Sequence, residues 1–391
     1  MRDMGRTYDI VLFGATGFTG ELTADYLARH APEGARWALA GRNQAKLAGV
    51  RSRLAAIDPR LADLDLLTAD VTDPASLKAV AEATRVVVTT VGPYINFGDA
   101  LVGACAEAGT DYLDLTGEPE FVDQTYLRHN ASAVRTGARL IHAAGFDSIP
   151  YDLGVYRTVK RLPEGVPLRV EGFMTASATF SAGTFHSAVT AFSRVRDSAR
   201  VAGERRKAEG RPEGRRIKGT AGKPRYEKAV GAWVLPAPTI DPQIVLRSAR
   251  ALERYGPDFR YGNYIAIKSL PVALGVVGGV AAVFAAAQVP PLRDWLLGRK
   301  KAGDGPEQAK RDKSWFRLRV VGEGGGRRVV TDVSGGDPGY TETAKMLGES
   351  ALCLAFDQVS EGGGQRTTAA VMGDALLNRI EAAGIRFTDV E

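Results

Sequence analysis

Between residues 8 and 150, short apolar and β-branched runs alternate with stretches whose apolar residues recur every three or four positions. The first kind reads as strand and the second as amphipathic helix. Strands are expected at 8–13, 36–40, 64–69, 85–91, 112–115 and 139–143, and helices at 21–30, 46–54, 75–83, 100–108 and from 119 onward. Asp73 followed by Pro74 marks the third helix start, an N-cap with proline at the first helical position. The strands are apolar on both faces, which suits burial between two layers of helix. The pattern predicts an α/β fold, a Rossmann-type doubly wound parallel sheet over 1–150.

After Pro150 the rhythm changes. Strand patterns at 168–177, 316–321 and 329–333, the last two joined by the glycine-rich 322–326, predict a second α+β domain over 151–335 with a mostly antiparallel sheet. Within it lie a basic tract, 194–228, and an apolar segment, 270–297. From 336 to 391 helical patterns dominate, and this tail is expected to return and pack on the first domain. A chain of 391 residues exceeds what one hydrophobic core serves, so two domains are the natural reading. The chain has two cysteines, Cys105 and Cys353, with no CxxC pair or histidine cluster. That speaks against a disulfide framework and a metal site and suits a reducing compartment. The first residues carry no signal-peptide pattern, so a cytoplasmic location is expected. A net charge of +6 is modest for this length, and no aromatics are interleaved with the basic tract, which disfavours nucleic acid. Oligomeric state is left open.

The chemistry begins where the first strand meets its helix. Gly14, Ala15, Thr16, Gly17, Phe18, Thr19 and Gly20 form a GxxGxxG loop. The first glycine makes the turn, the second admits a pyrophosphate and the third lets helix and strand pack closely. The helix N-terminus adds N–H groups and a favourable dipole. After the second strand, where an NAD enzyme commonly places a carboxylate, stands Arg42, with Lys46 one turn later. A guanidinium there suits a 2′-phosphate, so NADP(H) is expected; a solvated surface arginine is the plainer alternative. Asp70 and Val71 follow the third strand, in position to face an adenine, although Asp70 also reads as a turn residue. Thr90, Val91 and Gly92 end the fourth strand at the edge where ligands bind, and Pro93 directs Tyr94, which also reads as a packed aromatic.

Several further motifs carry a resemblance. Val91–Gly92–Pro93–Tyr94, Gly98, Cys105, Gly109, the run from Asp114 to Glu118, and Gly145–Phe146–Asp147–Ser148–Ile149–Pro150 are similar to those of the saccharopine dehydrogenase-like family. Within it, the chain resembles the branch that holds the trans-acting enoyl reductases. The stretches Ser181–Ser187 and Asp337–Ala344 also match that branch. Ala144, Tyr151 and the run Thr367–Thr368–Ala369 depart from the usual pattern. The resemblance implies an NADPH-dependent oxidoreductase that reduces an enoyl or related bond of a long acyl chain, held as a lipid or on a carrier protein. Imine reduction of the saccharopine type and a non-catalytic, lipid-associated NADP(H)-binding role are the alternatives. Reducing a double bond needs a proton source beside the cofactor. The candidates are Tyr94, Asp147 and Tyr151, with Ser148 beside them and Thr184 and His186 as weaker ones.

Residues 271–289 carry no charge, long enough to span a bilayer. Three readings stand: a buried or tunnel-lining helix, a membrane-surface or re-entrant segment, and a true span. The positive flank, Arg293, Arg299, Lys300 and Lys301, would hold the C-terminal side in the cytoplasm, against the N-terminal half's own need to stay there. Trp295 among those basic residues has the character of an interfacial anchor, so 270–301 is expected to give peripheral contact with the cytoplasmic face of a membrane. The tract 194–228 is expected to meet anionic lipid or an acidic carrier protein, or else to be a solvated loop.

Overall fold

The computed structural model describes residues 5–177, 182–298 and 306–390. The first sheet holds β1 (Tyr8–Phe13), β2 (Trp37–Gly41), β3 (Asp65–Thr68), β4 (Thr84–Thr89), β5 (Asp111–Leu113) and β6 (Arg139–Ile141). They lie side by side in the order β3-β2-β1-β4-β5-β6, all parallel. Val11, Leu12, Ala38, Leu39, Val87 and Val88 have no exposed surface, the two-sided burial that the unbroken apolar runs call for.

The second sheet holds β7 (Leu168–Ser177), β8 (Arg216–Gly219), β9 (Arg225–Glu227), β10 (Ala232–Pro236), β11 (Asp258–Ile267), β12 (Trp315–Gly324) and β13 (Arg327–Gly335). Most pairs are antiparallel, but β11 runs parallel to both β7 and β8. The fold is therefore α/β, with a parallel Rossmann-like sheet beside a mostly antiparallel one.

Helices dominate the tail, and it also supplies two strands that its pattern did not show. It contains β14 (Gly364–Arg366), which pairs parallel with β6 as the outer strand of the first sheet, and β15 (Arg386–Val390), which pairs with β13 in the second. Between β13 and β14, helix Thr341–Phe356 packs against helix Phe18–His30. Gly348 there faces the Tyr26 ring, and an added Cβ would sit 2.5 Å from it. The final segment thus touches both sheets.

The basic tract is not a solvated loop. It forms helix Val195–Glu209 followed by β8 and β9. Four of its nine arginines are used internally, Arg194 on Glu120, Arg205 buried on Asp123, Arg215 on the carbonyls of Ala249 and Leu252, and Arg225 on Glu171 and Glu227, while Arg196, Arg200, Arg206, Arg211 and Arg216 are exposed.

Helix Leu270–Ala287 is long and apolar enough to cross a membrane, with a mean hydropathy of 2.2, yet 11% of it is buried. That excludes the buried or tunnel-lining reading within this chain. Its ends are fixed: Ala273 and Ala287 are covered, and helix Pro290–Gly298 then turns Leu296 back onto Val189 of helix Ala182–Ser193. Arg299, Lys300 and Lys301 lie outside the described residues.

Candidate active site

The loop between β1 and helix Phe18–His30 is built for close backbone approach. Gly14 has φ +88° and its N–H bonds to Ala40 O, tying the turn to β2. A Cβ on Gly20 would lie 2.2 Å from Gly14 O, so only glycine lets the helix start this near the turn. Gly17 caps the helix with no side-chain hydrogen bond and is exposed, leaving the helix N-terminus open. Ala15 is buried beneath the loop; Thr16, Phe18 and Thr19 are half-buried. Phe18 is held edge-on against Tyr340, ring centroids 4.9 Å apart. Thr90 donates its Oγ1 hydrogen to Gly14 O (3.1 Å), joining the end of β4 to the loop.

Arg42, just past β2, is exposed and makes no hydrogen bond or ion pair among the described residues, although its charge is felt at Asp70. A cavity of 340 Å³ between the loop and the second helix is lined by Thr16, Glu21, Lys46 and Arg53, among others, with Arg42 outside its lining. Asp70 accepts from the backbone N–H (2.9 Å) and hydroxyl (2.8 Å) of Thr72 through Oδ1, a local turn that holds its carboxyl below the usual range. Its other oxygen accepts no bond from the described residues. Val71 packs partly buried against the core of the sheet, as does Val91. An open helix N-terminus, a close glycine contact and an exposed guanidinium at the end of β2 fit a dinucleotide carrying a 2′-phosphate.

The structure separates the catalytic candidates. Tyr94 is buried, and its hydroxyl donates to Thr89 O (3.0 Å) while accepting from Leu115 N (3.2 Å). Both capacities are spent on backbone, bracing the ends of β4 and β5; burial holds its phenol well above the ordinary range. Asp147 differs. It is half-buried, has no hydrogen bond among the described residues, and its Oδ2 would lie 3.3 Å from a Cβ on Gly117. Burial pushes its carboxyl up to about 6. Tyr151 lies with it: its phenol has no hydrogen bond among the described residues and is raised by burial and then by the charges of Asp241 and Asp147. Ser148 is buried, and its hydroxyl has no hydrogen bond among the described residues. The side chains of Thr184 and His186 lie outside the described residues.

Two residues that the sequence reading gave no role at the site, Asp241 and Glu118 (the latter named only within a motif), belong to the same region. Asp241, at the start of helix Asp241–Ala251, is buried, with Oδ2 accepting from Thr239 and from Asn263 (3.3 Å) and Oδ1 unpartnered. Burial raises it well above the carboxylate range, and the nearby Asp147 adds to that. Its signal was an acid beside proline at a helix start, indistinguishable from an ordinary first-turn carboxylate. Glu118 reaches back to the helix Tyr94–Phe97, accepting from Tyr94 N (3.1 Å) and Ile95 N (2.8 Å), and from Ser187 Oγ (3.2 Å). Burial raises its carboxyl despite those bonds.

The segment carrying Asp147 is positioned from below. Asp114 accepts from Ala143 N (2.9 Å) and from His142 Nδ1 (2.6 Å), and His142 Nε2 lies 3.1 Å from Thr125 Oγ1. This chain has no surface exposure, so its role is to hold the backbone. Ala143 is thereby kept at φ 58°, a left-handed conformation costing about 1–2 kcal/mol. Five residues after Asp147, Asp152 accepts from Ser248 (2.5 Å), Thr368 (2.7 Å) and Ala369 N (2.8 Å), pinning the tail to this junction.

Comparison with known proteins decides the lineage. Residues 10–141 match the family model described as the saccharopine dehydrogenase NADP binding domain. Two relatives named trans-acting enoyl reductase match along their whole length. The one from Mycobacterium tuberculosis is 37% identical, covering 97% of each chain, and the one from Mycobacterium ulcerans is 35% identical, covering 98% of each. The chain belongs to this family. It is an NADP(H)-dependent oxidoreductase of the saccharopine dehydrogenase-like type, in its trans-acting enoyl reductase branch. Among solved structures, apo saccharopine dehydrogenase (L-Glu forming) from Saccharomyces cerevisiae superposes with a TM-score of 0.56, covering 98% of this chain and 100% of that one. At 12% identity this likeness establishes the shared fold alone.

Proposed function

We propose that this member of the family reduces the carbon–carbon double bond of an enoyl group on an acyl substrate presented by a carrier protein, with Asp147 as proton donor. The observation that carries the reading is the unpaired, half-buried carboxyl of Asp147 at the carboxyl edge of the first sheet, in a chain similar over its whole length to trans-acting enoyl reductases. In this reading Gly14, Gly17, Gly20 and the N–H groups of the helix start hold the pyrophosphate, Arg42 and Lys46 the 2′-phosphate, Asp70 and Val71 the adenine, and Thr90, Val91 and Gly92 the ribose near the ring. Bound NADPH supplies a hydride. The chain's own part is to keep a proton on Asp147 through burial, and to hold the backbone of the cleft rigid through Tyr94 and Glu118. Tyr151, with a free phenol, is suited to orient the acyl carbonyl. The relatives' name supports a substrate carried by a separate protein. The unpaired thiols Cys105 and Cys353, both buried, suit work on the cytoplasmic side. We assign the lipid contact to 270–301.

NADPH oxidation is to be followed with enoyl thioesters, keto acids and amino acids; turnover confined to the thioesters is expected. Turnover of keto acids with ammonia would make it an imine reductase, and coenzyme binding with no turnover would make it a binding protein. An acid that must be protonated loses activity as pH rises through its pKa, so kcat/KM should fall above about pH 6 in the free protein. Asp147→Asn should remove that limb and lower kcat by about 10²–10⁴. An unchanged profile would dismiss Asp147.

A further inference from the structure

Residues 274–282, the middle of helix Leu270–Ala287, are exposed on every side. Leu274 retains 64% of its surface, Val272 56%, Val277 47% and Val280 45%. A protein groove covers one stripe of a helix, as the apolar face of an amphipathic helix shows. This helix has no polar stripe to leave in water, and a helix apolar all round is covered either by a protein core, which the described residues do not provide here, or by lipid. Its 18 residues span about 27 Å.

Both ends return to the same body. The first turn buries Ala273. At the other end Val283, Ala286 and Ala287 pack on helix Ala182–Ser193, and Gln288 Nε2 donates to Phe192 O at 2.6 Å. A span would carry one end across the bilayer, away from the body that grips it. The flanks suit an interface: Lys268 is exposed before the helix, and Trp295 (56% exposed) and Leu292 (48%) follow it beside Arg293. Helix Ala182–Ser193, which seats this handle, also reaches the candidate site, because Ser187 bonds Glu118 while Val189 faces Ala287 and Leu296. One helix thus separates the apolar surface from the proposed acyl site.

We propose that helix Leu270–Ala287 sinks into one leaflet of a bilayer as a handle fixed at both ends, so that the candidate site draws its acyl chain from the lipid surface. The second half of this statement rests on the acyl reading above; the first does not. The test uses the full chain and the variant Val272→Ser/Leu274→Ser/Val277→Ser/Val280→Ser, floated with vesicles of phosphatidylglycerol and phosphatidylcholine. Quenching of intrinsic fluorescence by NADPH, equal in the two proteins, certifies the fold. The wild type is expected to float and the variant to lose at least ten-fold of that partition. A wild type that stays in the dense fraction overturns insertion. So does a dimer in sedimentation that the variant abolishes without any flotation, since a second copy would then be the occupant. For delivery, a short soluble enoyl thioester should be turned over equally by both proteins, and a long-chain enoyl substrate in the vesicles at least ten-fold more slowly by the variant. Equal rates on both substrates overturn delivery and leave insertion standing. Failure on every enoyl substrate sinks the acyl reading, while flotation still decides the handle.

Discussion

Helix Thr341–Phe356 and helix Leu270–Ala287 have similar lengths and opposite fates. The first carries Glu342, Lys345 and Glu349 in its sequence, yet nearly all of it is buried against helix Phe18–His30 and the first sheet. Its charges are matched there: Glu342 by Lys345 (2.8 Å), and Glu349 by Arg379 (3.1 Å) and the Tyr26 hydroxyl (2.5 Å). The second carries no charge at all and is covered only at its ends. Hydrophobicity alone therefore does not decide what goes inside. A helix is buried when its neighbours offer a complementary surface and partners for its polar groups, and the cofactor half of the molecule offers both. The contrast separates a region whose packing maintains the fold from one whose surface awaits an external solvent.

The comparison can be broken most forcefully in the buried helix. Leu352 has no exposed surface, so Leu352→Ala should cost about 2–5 kcal/mol in chemical denaturation, through lost burial and the cavity left behind. A loss below about 1 kcal/mol would mean that this helix is not part of the core. A smaller effect is expected at the open edge of the same half. Arg42→Ala should weaken NADPH by about 1.5–3 kcal/mol, the worth of a charge-assisted bond, while leaving NADH unchanged. Equal losses for the two coenzymes in calorimetry would remove Arg42 from the 2′-phosphate. Least of all should change in the handle: Leu274→Ser should alter stability in detergent-free buffer by no more than about 0.5 kcal/mol. A large destabilisation there would show that the helix is packed in solution.

The parallel sheet was legible because strands buried on both faces read as unbroken apolar runs, and glycines mark the turn that must approach a phosphate. The strand β11 was not, although it lies in the interior of its sheet. Phe259, Arg260 and Tyr261 alternate, but Asn263 then stands on the apolar register, there to bond Thr239 and Asp241 rather than to fill the core. The three-residue β14 (Gly364–Arg366) has no apolar signal, since it joins β6 through backbone bonds alone. At the candidate site the motifs indicated Tyr94 and Asp147 alike. Which side chain is satisfied depends on partners distant in the chain: the N–H of Leu115 lies 21 residues from the Tyr94 hydroxyl it bonds. What raises Asp147 is burial at a junction that includes Gly117, which only the fold assembles.

The outermost strand of the coenzyme sheet, β14, has a consequence for how the protein is made. It is synthesised more than two hundred residues after its neighbour β6, and the helix that covers the sheet emerges only just before it. A nascent chain leaving the ribosome therefore exposes an unfinished dinucleotide domain through most of translation. The parallel sheet is thus closed by segments far apart in the chain, and removing the segment from Thr341 to Arg366 would strip it of both an edge strand and a covering helix.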